Sequence, residues 1–162
     1  MVLYWFICQE MKEGIPLSEF GLDEHLCFQL YQASRAMTRL YKEVLKPYQL
    51  TYPQYIVMVL LWEHDRLSFK EISDALHLKT GTLSPLLKRL EKDGWIKRKH
   101  NSNDDRMLEV YLSKKGLAYR EEGILIPCET LKRLQYDQET YDFYLETAKK
   151  LSMHLHEIEK KT

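Results

Sequence analysis

The 162-residue sequence is poor in residues that interrupt helices, with six glycines and five prolines. Its three cysteines, Cys8, Cys27 and Cys128, are odd in number and widely spaced, which gives no disulfide framework and is typical of a reducing cytoplasm. No apolar run is long enough to span a membrane, and the apolar stretch at residues 2–8 lacks the flanks of a signal peptide. These scarcities predict a mainly helical, cytoplasmic protein with no membrane partner.

The motifs of common enzyme classes are also missing. The sequence has no P-loop, no GxGxxG and no HExxH, and His154 and His156 stand two residues apart, on different faces of a helix, which is poor spacing for a metal site. We therefore expect no catalytic residues, no metal and no cofactor. A thiol-peroxidase-like enzyme stays as the alternative from a different functional class.

Positive charge is concentrated in one stretch although the formal net charge is zero. Residues 79–116 contain ten Lys or Arg and five Asp or Glu, which is an excess of five positive charges. Because the whole chain is neutral, the other residues carry an excess of five negative charges. A basic block on an otherwise acidic protein predicts a phosphate-binding face.

Apolar periodicity divides the chain into three regions. Residues 1–50 hold an N-terminal arm and a first long helix, with Asp23 as its predicted N-cap and a stripe of apolar residues ending near Pro47. Residues 51–116 read as a DNA-binding domain, and residues 117–162 as C-terminal dimerisation helices. The expected fold class is mainly α with a small β-hairpin wing.

The middle region has clear start and stop signals for its elements. A helix that is apolar on all sides opens at the capping box Thr51–Gln54, and a short helix opens at the capping box Ser68–Glu71, with Ile72, Ala75 and Leu76 predicted to face inward. A third helix is predicted from about Thr82 to Lys92, ending at Asp93-Gly94 and followed by two strands. Because of Pro85, either Thr82 is its N-cap or the start of the helix is irregular or kinked. Ser113 is predicted to cap a helix that runs to about Pro127.

Two short helices followed by a two-stranded hairpin form the layout of a winged helix-turn-helix, whose second helix enters the major groove of DNA. Hydroxyl and basic side chains on that helix suit base edges and phosphates, and an arginine at the wing tip, oriented by a carboxylate, suits the minor groove. The predicted partner is double-stranded DNA, and the predicted DNA-binding residues are Thr80, Thr82, Ser84, Lys88, Arg89, Asp104 and Arg106.

The sequence over residues 22–125 resembles the MarR family of bacterial transcription regulators, and NDDRMLEVYLSKKG at residues 103–116 is similar to that family's wing and following helix start. The resemblance implies a winged domain in each subunit of a homodimer built from the first and last helices, and a palindromic operator. It also implies that Arg106 is the minor-groove arginine and Asp104 its orienting partner. Lys79 departs from the family pattern, which carries Asp at this position.

The segment LCFQLYQASRAMTRLYKEVLKPYQLTYPQY at residues 26–55 resembles the OhrR-type branch of this family, which senses organic hydroperoxides. That resemblance implies a reactive Cys27 whose sulfur meets Tyr31, Tyr41 and Tyr52. Independently of the resemblance, the partial positive charge at the start of a helix favours the thiolate form of a cysteine there. Tyr31, one helical turn after Cys27, can donate a hydrogen bond to its sulfur. Oxidation of Cys27 is expected to release a repressor from its operator.

Two questions stay open in the sequence. Cys128 is the candidate resolving thiol for oxidised Cys27, with Cys8 or a small-molecule thiol as alternatives. The effector is an organic hydroperoxide or related oxidant, but a repressor of this kind released by a small aromatic or phenolic ligand near the same tyrosines is the alternative. A third possibility is that the protein has this fold but uses it to bind other proteins instead of DNA.

Overall fold

The computed structural model describes residues 21–100 and 108–161, without the side chain of His100. The chain divides into two compact units, residues 1–43 and 44–162. The helices and strands are α1 (Leu26–Leu45), α2 (Tyr52–His64), β1 (Arg66–Ser68), α3 (Phe69–Leu76), α4 (Thr80–Lys92), β2 (Ile96–His100), β3 (Leu108–Leu112), α5 (Lys114–Ala118), α6 (Arg120–Leu134) and α7 (Gln138–Glu159). The predicted fold class, mainly α with a small β wing, is confirmed.

The first helix starts later than predicted. Asp23 lies in a short 3-10 turn, Leu22–Glu24, and α1 begins at Leu26, so the prediction of Asp23 as N-cap is wrong. The Gln29 amide donates a hydrogen bond to the backbone oxygen of Asp23 at 2.7 Å, which holds this turn against the start of the helix. Cys27 is therefore the second residue of α1 and still lies in its first turn.

Helix α2 is the centre of the larger unit. It opens at the predicted capping box, where the Gln54 side-chain oxygen accepts hydrogen bonds from the Thr51 amide at 2.8 Å and the Thr51 hydroxyl at 2.9 Å. Because it is apolar on all sides, its residues are buried against several neighbours, with Val57, Met58 and Leu61 fully inaccessible to solvent. The predicted central burial of this helix is confirmed.

The wing belongs to a sheet of three strands, in the order β1-β3-β2 and antiparallel throughout. The predicted hairpin is β2 and β3, paired from Ile96 with Leu112 to His100 with Leu108. Strand β1 was not predicted, because Asp65-Arg66 reads locally as a turn and the strand exists only by pairing with β3. Val110 on β3 is fully buried, and Leu108 and Leu112 are half-buried on the same face, as the alternation predicts.

Two predicted details of α4 and α3 are wrong. Helix α4 begins at Thr80 with Lys79 as N-cap, two residues before the predicted start, so Pro85 lies inside the helix as its sixth residue. A proline there removes one backbone hydrogen bond, and the buried leucine face of α4 compensates for the loss. On α3, Ile72 is buried as predicted and Leu76 is half-buried, but Ala75 is exposed.

Ser113 caps α5 as predicted, since its hydroxyl oxygen accepts a hydrogen bond from the Gly116 amide at 3.0 Å. The helix does not continue to Pro127, however: it ends at Ala118, and after Tyr119 a second helix, α6, runs through Pro127 to Leu134. Where one helix was predicted, the chain therefore has two.

Gly123 on α6 provides the sharpest test of packing in this unit. A Cβ atom at this position would lie 2.1 Å from the Trp62 ring, whereas a Cβ at Gly81 on α4 would meet no heavy atom within 4 Å. Gly123→Ala should lower the free energy of unfolding by about 1–3 kcal/mol through overpacking. Urea denaturation followed by tryptophan fluorescence measures this change.

Gly81→Ala is the matched control, because both glycines lie in helices and receive the same methyl group. It should leave stability unchanged or raise it by up to about 1 kcal/mol through helix propensity. Equal effects of the two substitutions would contradict the packing of Trp62 against Gly123.

Candidate functional site

The solvent face of α4 carries the predicted reader residues. Thr80, Thr82, Lys88 and Arg89 are exposed and Ser84 is half-buried, whereas the opposite face of this 13-residue helix is made of buried leucines: Leu83, Leu86, Leu87 and Leu90. The structure thus brings all five α4 residues to one exposed surface. Their contact with DNA remains a prediction.

The tip of the wing falls between the two described parts of the chain. Asp104 and Arg106 lie outside the described residues, and so does Cys8. The strands that lead to and from the tip are paired up to His100 and Leu108, which places both ends of the intervening segment side by side. The predicted roles of Arg106 in the minor groove and of Asp104 beside it stay predictions.

An ion pair joins α4 to the wing. The Glu91 carboxylate, in the last turns of α4, accepts hydrogen bonds from the Arg98 backbone amide at 3.1 Å and from Arg98 Nε at 2.9 Å. These hydrogen bonds hold the pKa of the Glu91 carboxyl below its usual value. Arg98, one of the ten basic residues of the block, thus faces α4 and fixes the angle between reader helix and wing. No local pattern in the sequence predicts this pair, because its two residues lie on different elements, seven positions apart.

The Cys27 site begins with a row of three residues on α1. Cys27 is an exposed free thiol, and Tyr31 follows one helical turn later with about half of its surface exposed. Arg35, one turn further, donates a hydrogen bond from Nη1 to the Tyr31 hydroxyl oxygen at 2.7 Å, and its guanidinium carbon lies 5.4 Å from the centre of the Tyr31 ring. Since the Tyr31 oxygen accepts from Arg35, its own proton can be donated elsewhere. Arg35 was not among the predicted site residues, although it follows Tyr31 at the same spacing of four residues that separates Tyr31 from Cys27.

Tyr41 cannot reach Cys27 within one chain. Both residues lie on α1 and are fourteen residues apart, which corresponds to about 21 Å along a straight helix axis. A contact between the Tyr41 hydroxyl and the Cys27 sulfur therefore requires a second copy of the chain.

Tyr52 and Cys128 belong to the larger unit. Tyr52, the first residue of α2, lines an apolar groove of about 320 Å³, and burial raises the pKa of its hydroxyl. The other residues around this groove are Tyr55, Ile56, Val59, Leu60, Leu76 and Pro127. Cys128 is an exposed free thiol on α6, at the edge of a second groove of about 440 Å³ where α6 meets α7.

Over residues 21–100 and 108–161, no helix is both long and apolar enough to cross a membrane. Over the same residues, no group of three or more His, Cys, Asp or Glu side chains is arranged to hold a metal ion.

Comparison with known proteins identifies the family. The model of the SarA/Rot transcriptional regulators matches residues 39–122. The organic hydroperoxide resistance transcriptional regulator of Bacillus subtilis is 43% identical over 106 residues, which are 65% of this chain and 72% of that protein. The chain belongs to the SarA/Rot/MarR family of transcriptional regulators. The predicted family and its winged-helix, DNA-binding character are thereby confirmed.

Solved structures agree with this assignment. Reduced AbfR bound to DNA, from Staphylococcus epidermidis, superposes with a TM-score of 0.70 at 30% identity and covers 87% of this chain and 99% of its own. A disulfide form of AbfR superposes with a TM-score of 0.60 at 31% identity, covering 93% and 97%. AbsC, a MarR family regulator from Streptomyces coelicolor, shares the fold with a TM-score of 0.68 at 22% identity, covering 80% and 90%.

The Glu91–Arg98 pair predicts a pH-dependent contribution to stability. Because the pKa of Glu91 is lowered in the folded protein, its stabilising effect is complete above the ordinary glutamate pKa of about 4.3 and is lost as the pH falls through the lowered value. Glu91→Gln should cost about 1 kcal/mol or less at neutral pH, where the pair is partly exposed. Urea denaturation as a function of pH should show this difference shrinking below about pH 4.

The exposed Glu157→Gln on α7 controls for the loss of one negative charge. A destabilisation by Glu91→Gln that stays constant from neutral to acidic pH would contradict the role of the ionised pair.

Proposed function

We propose that this regulator is a redox-sensing repressor in which oxidation of Cys27 by an organic hydroperoxide causes release from a palindromic operator. The observation that carries the proposal is the exposed Cys27 thiol in the first turn of α1, followed by Tyr31 and Arg35 at successive turns. Two relatives support it by their names alone: a regulator of organic hydroperoxide resistance, and AbfR, which has been solved both reduced on DNA and in a disulfide form.

The chemistry of the switch is a two-electron oxidation of sulfur. The Cys27 thiolate attacks a peroxide oxygen, an S–O bond forms as the O–O bond breaks, and the leaving alkoxide takes up a proton to become an alcohol. Cys27 is then a sulfenic acid. Attack by a second thiolate, for which Cys128 is the candidate, forms an S–S bond and releases the sulfenic oxygen as water after protonation.

A homodimer is part of this proposal. Within the described residues no side chain of the 22-residue α7 is buried, and a helix of this length needs tertiary packing to be stable in water. Several of its large apolar residues are instead exposed: Phe143, Tyr144, Met153, Leu155 and Ile158. A second copy is the partner that covers such a seam, and it also supplies the Tyr41 that one chain cannot bring to its own Cys27.

Release from DNA follows from the position of Cys27 in the dimerisation helix. An inter-subunit disulfide, or a bulkier oxidised sulfur, would shift α1 and α7 of one subunit against the other. The two winged domains would then lose the spacing that matches the half-sites of the operator.

Cys27→Ser should abolish the response to organic hydroperoxide. The experiment measures binding to a duplex selected by the reduced protein from a random library, by fluorescence anisotropy, before and after cumene hydroperoxide. The parent should release the duplex, and Cys27→Ser should bind it equally in both conditions because serine cannot form a sulfenic acid. Cys8→Ser is the control for general thiol damage, and release that persists in Cys27→Ser would overturn the proposal.

The role of Cys128 is tested separately. If it is the resolving thiol, the oxidised parent should run as a crosslinked dimer on a non-reducing gel, and Cys128→Ser should stay monomeric there. Mass spectrometry of the same samples should find a Cys27–Cys128 peptide pair in the parent and a sulfenic or small-thiol adduct of Cys27 in the variant. An unchanged crosslink in Cys128→Ser would exclude Cys128 as the resolving thiol.

A second candidate effector is a small aromatic or phenolic ligand. The apolar groove beside Tyr52 favours it, because about 320 Å³ lies within the range of small-molecule sites and the tyrosine offers one hydroxyl. Such a ligand would release DNA from Cys27→Ser as readily as from the parent, and Ile56→Trp, which fills the groove, would block that release. This candidate is excluded if an oxidant releases the DNA and no aromatic or phenolic ligand does.

A further inference from the structure

Two histidine rings that are far apart in the sequence stack on each other. His77 directly follows α3 and His156 lies in the last turns of α7, and their ring centres are 3.8 Å apart with an angle of 25° between the ring planes. His77 is exposed and His156 is half-buried, so both rings can exchange protons with solvent. We call this contact, which lies outside the Cys27 site and the exposed face of α4, the histidine pair.

The first ring is carried by a well-defined turn. His77 has a left-handed backbone with φ of 51°, which ends α3 and directs the chain toward the reader helix α4. The Ser73 hydroxyl donates a hydrogen bond to the Leu78 carbonyl oxygen at 2.6 Å, and the Leu78 amide donates one to the Ser73 carbonyl oxygen at 3.0 Å. The His77 ring is therefore held by the turn of the helix-turn-helix itself.

The second ring comes from the helix whose apolar seam is proposed to bind a second copy of the chain. His156 follows Gln138, the first residue of α7, by eighteen residues, which is about 27 Å along the helix axis. Because no side chain of α7 is buried within the described residues, little other packing fixes this end of the helix. The histidine pair thus joins the far end of α7 to the turn that precedes the reader helix.

The stability of this contact depends on the charges of the two rings. Two neutral imidazoles can stack face to face, whereas two imidazolium ions at this distance repel each other. Among the described residues, the carboxylate that pairs with either ring is that of Glu159, whose oxygen lies 3.3 Å from His156 Nδ1. The other charged or titratable residues within four positions of either ring are all exposed: Asp74, Lys79, His154, Glu157 and Lys160.

Acidification adds charge to the pair in two steps. The Glu159 carboxylate favours a first proton on His156 and compensates its charge. A second proton, on His77, leaves one positive charge in the pair without compensation. Because the open contact accepts this second proton more readily than the closed one, a fall in pH favours opening, over the range in which histidine ordinarily titrates, around pH 6.5.

We propose that the histidine pair is a pH-sensitive contact, and that its opening on acidification loosens α7 from the helix-turn-helix and weakens operator binding. The closed pair restrains the angle between the winged domain and the seam on α7. Since that seam is proposed to hold the two copies together, the angle sets the spacing of the two reader helices. The inference rests on the proposed DNA-binding function and adds to it a second input that does not involve Cys27.

The test measures affinity for a duplex that the reduced protein selects from a random library. Fluorescence anisotropy is recorded under reducing conditions and at constant salt, at about pH 7.5 and about pH 5.5, on either side of the ordinary histidine pKa. On acidification the parent should lose about fivefold more affinity than either His77→Phe or His156→Phe, as expected for two like charges at this distance in water. Phenylalanine keeps a flat ring but takes up no proton, and a protonated histidine stacks favourably on it.

A further variant covers the special backbone of His77. Asparagine tolerates the left-handed conformation but provides no ring, so His77→Asn keeps the turn and removes the stack. It should bind the duplex at both pH values as weakly as the acidified parent does. An affinity of His77→Asn equal to that of the parent at neutral pH would show that the stack does not support DNA binding, and would overturn the inference.

Two controls separate the effect of this pair from other causes. His154→Phe replaces an exposed histidine on the same helix and should keep the parental loss of affinity on acidification. EDTA should leave that loss unchanged. The inference is overturned if both single phenylalanine variants keep the loss, if His154→Phe removes it as well, or if EDTA abolishes it, since a bound metal ion would then join the rings.

The parent protein itself distinguishes the two proposals. If the parent selects no duplex at all, the proposed function and this inference fail together. If it binds its duplex tightly and loses no more affinity at acidic pH than His77→Phe and His156→Phe, this inference alone fails.

Discussion

The Trp62 indole lies against Gly123 and donates a hydrogen bond to the carbonyl oxygen of Gly116, 2.9 Å away. About two turns earlier on the same helix, the Tyr55 hydroxyl donates to the carbonyl oxygen of Gly123 at 3.1 Å. These contacts tie α2 to α5 and α6, and the ring of Trp62 can approach α6 this closely because Gly123 has no Cβ atom. The positions of the wing strands and the C-terminal helices relative to α2 depend on this packing.

The packing around α2 also determines which basic residues can serve DNA. Arg98 is used inside the domain to hold α4 against β2, and Lys115 lies over the Trp95 ring at 4.2 Å and donates to the Asp93 carbonyl oxygen. Among the described residues, Lys88, Arg89 and Lys92 on α4 and Lys97 and Lys99 on β2 are exposed. A chain of zero net charge therefore presents a basic surface because its acidic residues are concentrated elsewhere.

The proposed switch depends on a constraint of helix geometry. The thiol, the phenol and the guanidinium of Cys27, Tyr31 and Arg35 follow one another at successive turns of α1, so the row is set by a local repeat. Tyr41 lies too far along the same helix to join it, and the apolar seam of α7 is exposed in the single chain. Sensing and dimerisation are thus coupled in the proposal, because the site and the seam both require a second copy.

The sequence by itself determined the elements whose signals are local: the capping boxes at Thr51 and Ser68, the leucine face of α4 and the alternation of β3. It also carried the resemblance to the family. Spacing along one helix or strand suffices for these, since the interacting groups are only a few residues apart. Tertiary structure alone decided β1, the Glu91–Arg98 pair and the break at Tyr119. Each of these depends on partners distant in the chain or on the space left around α2, which no local pattern encodes.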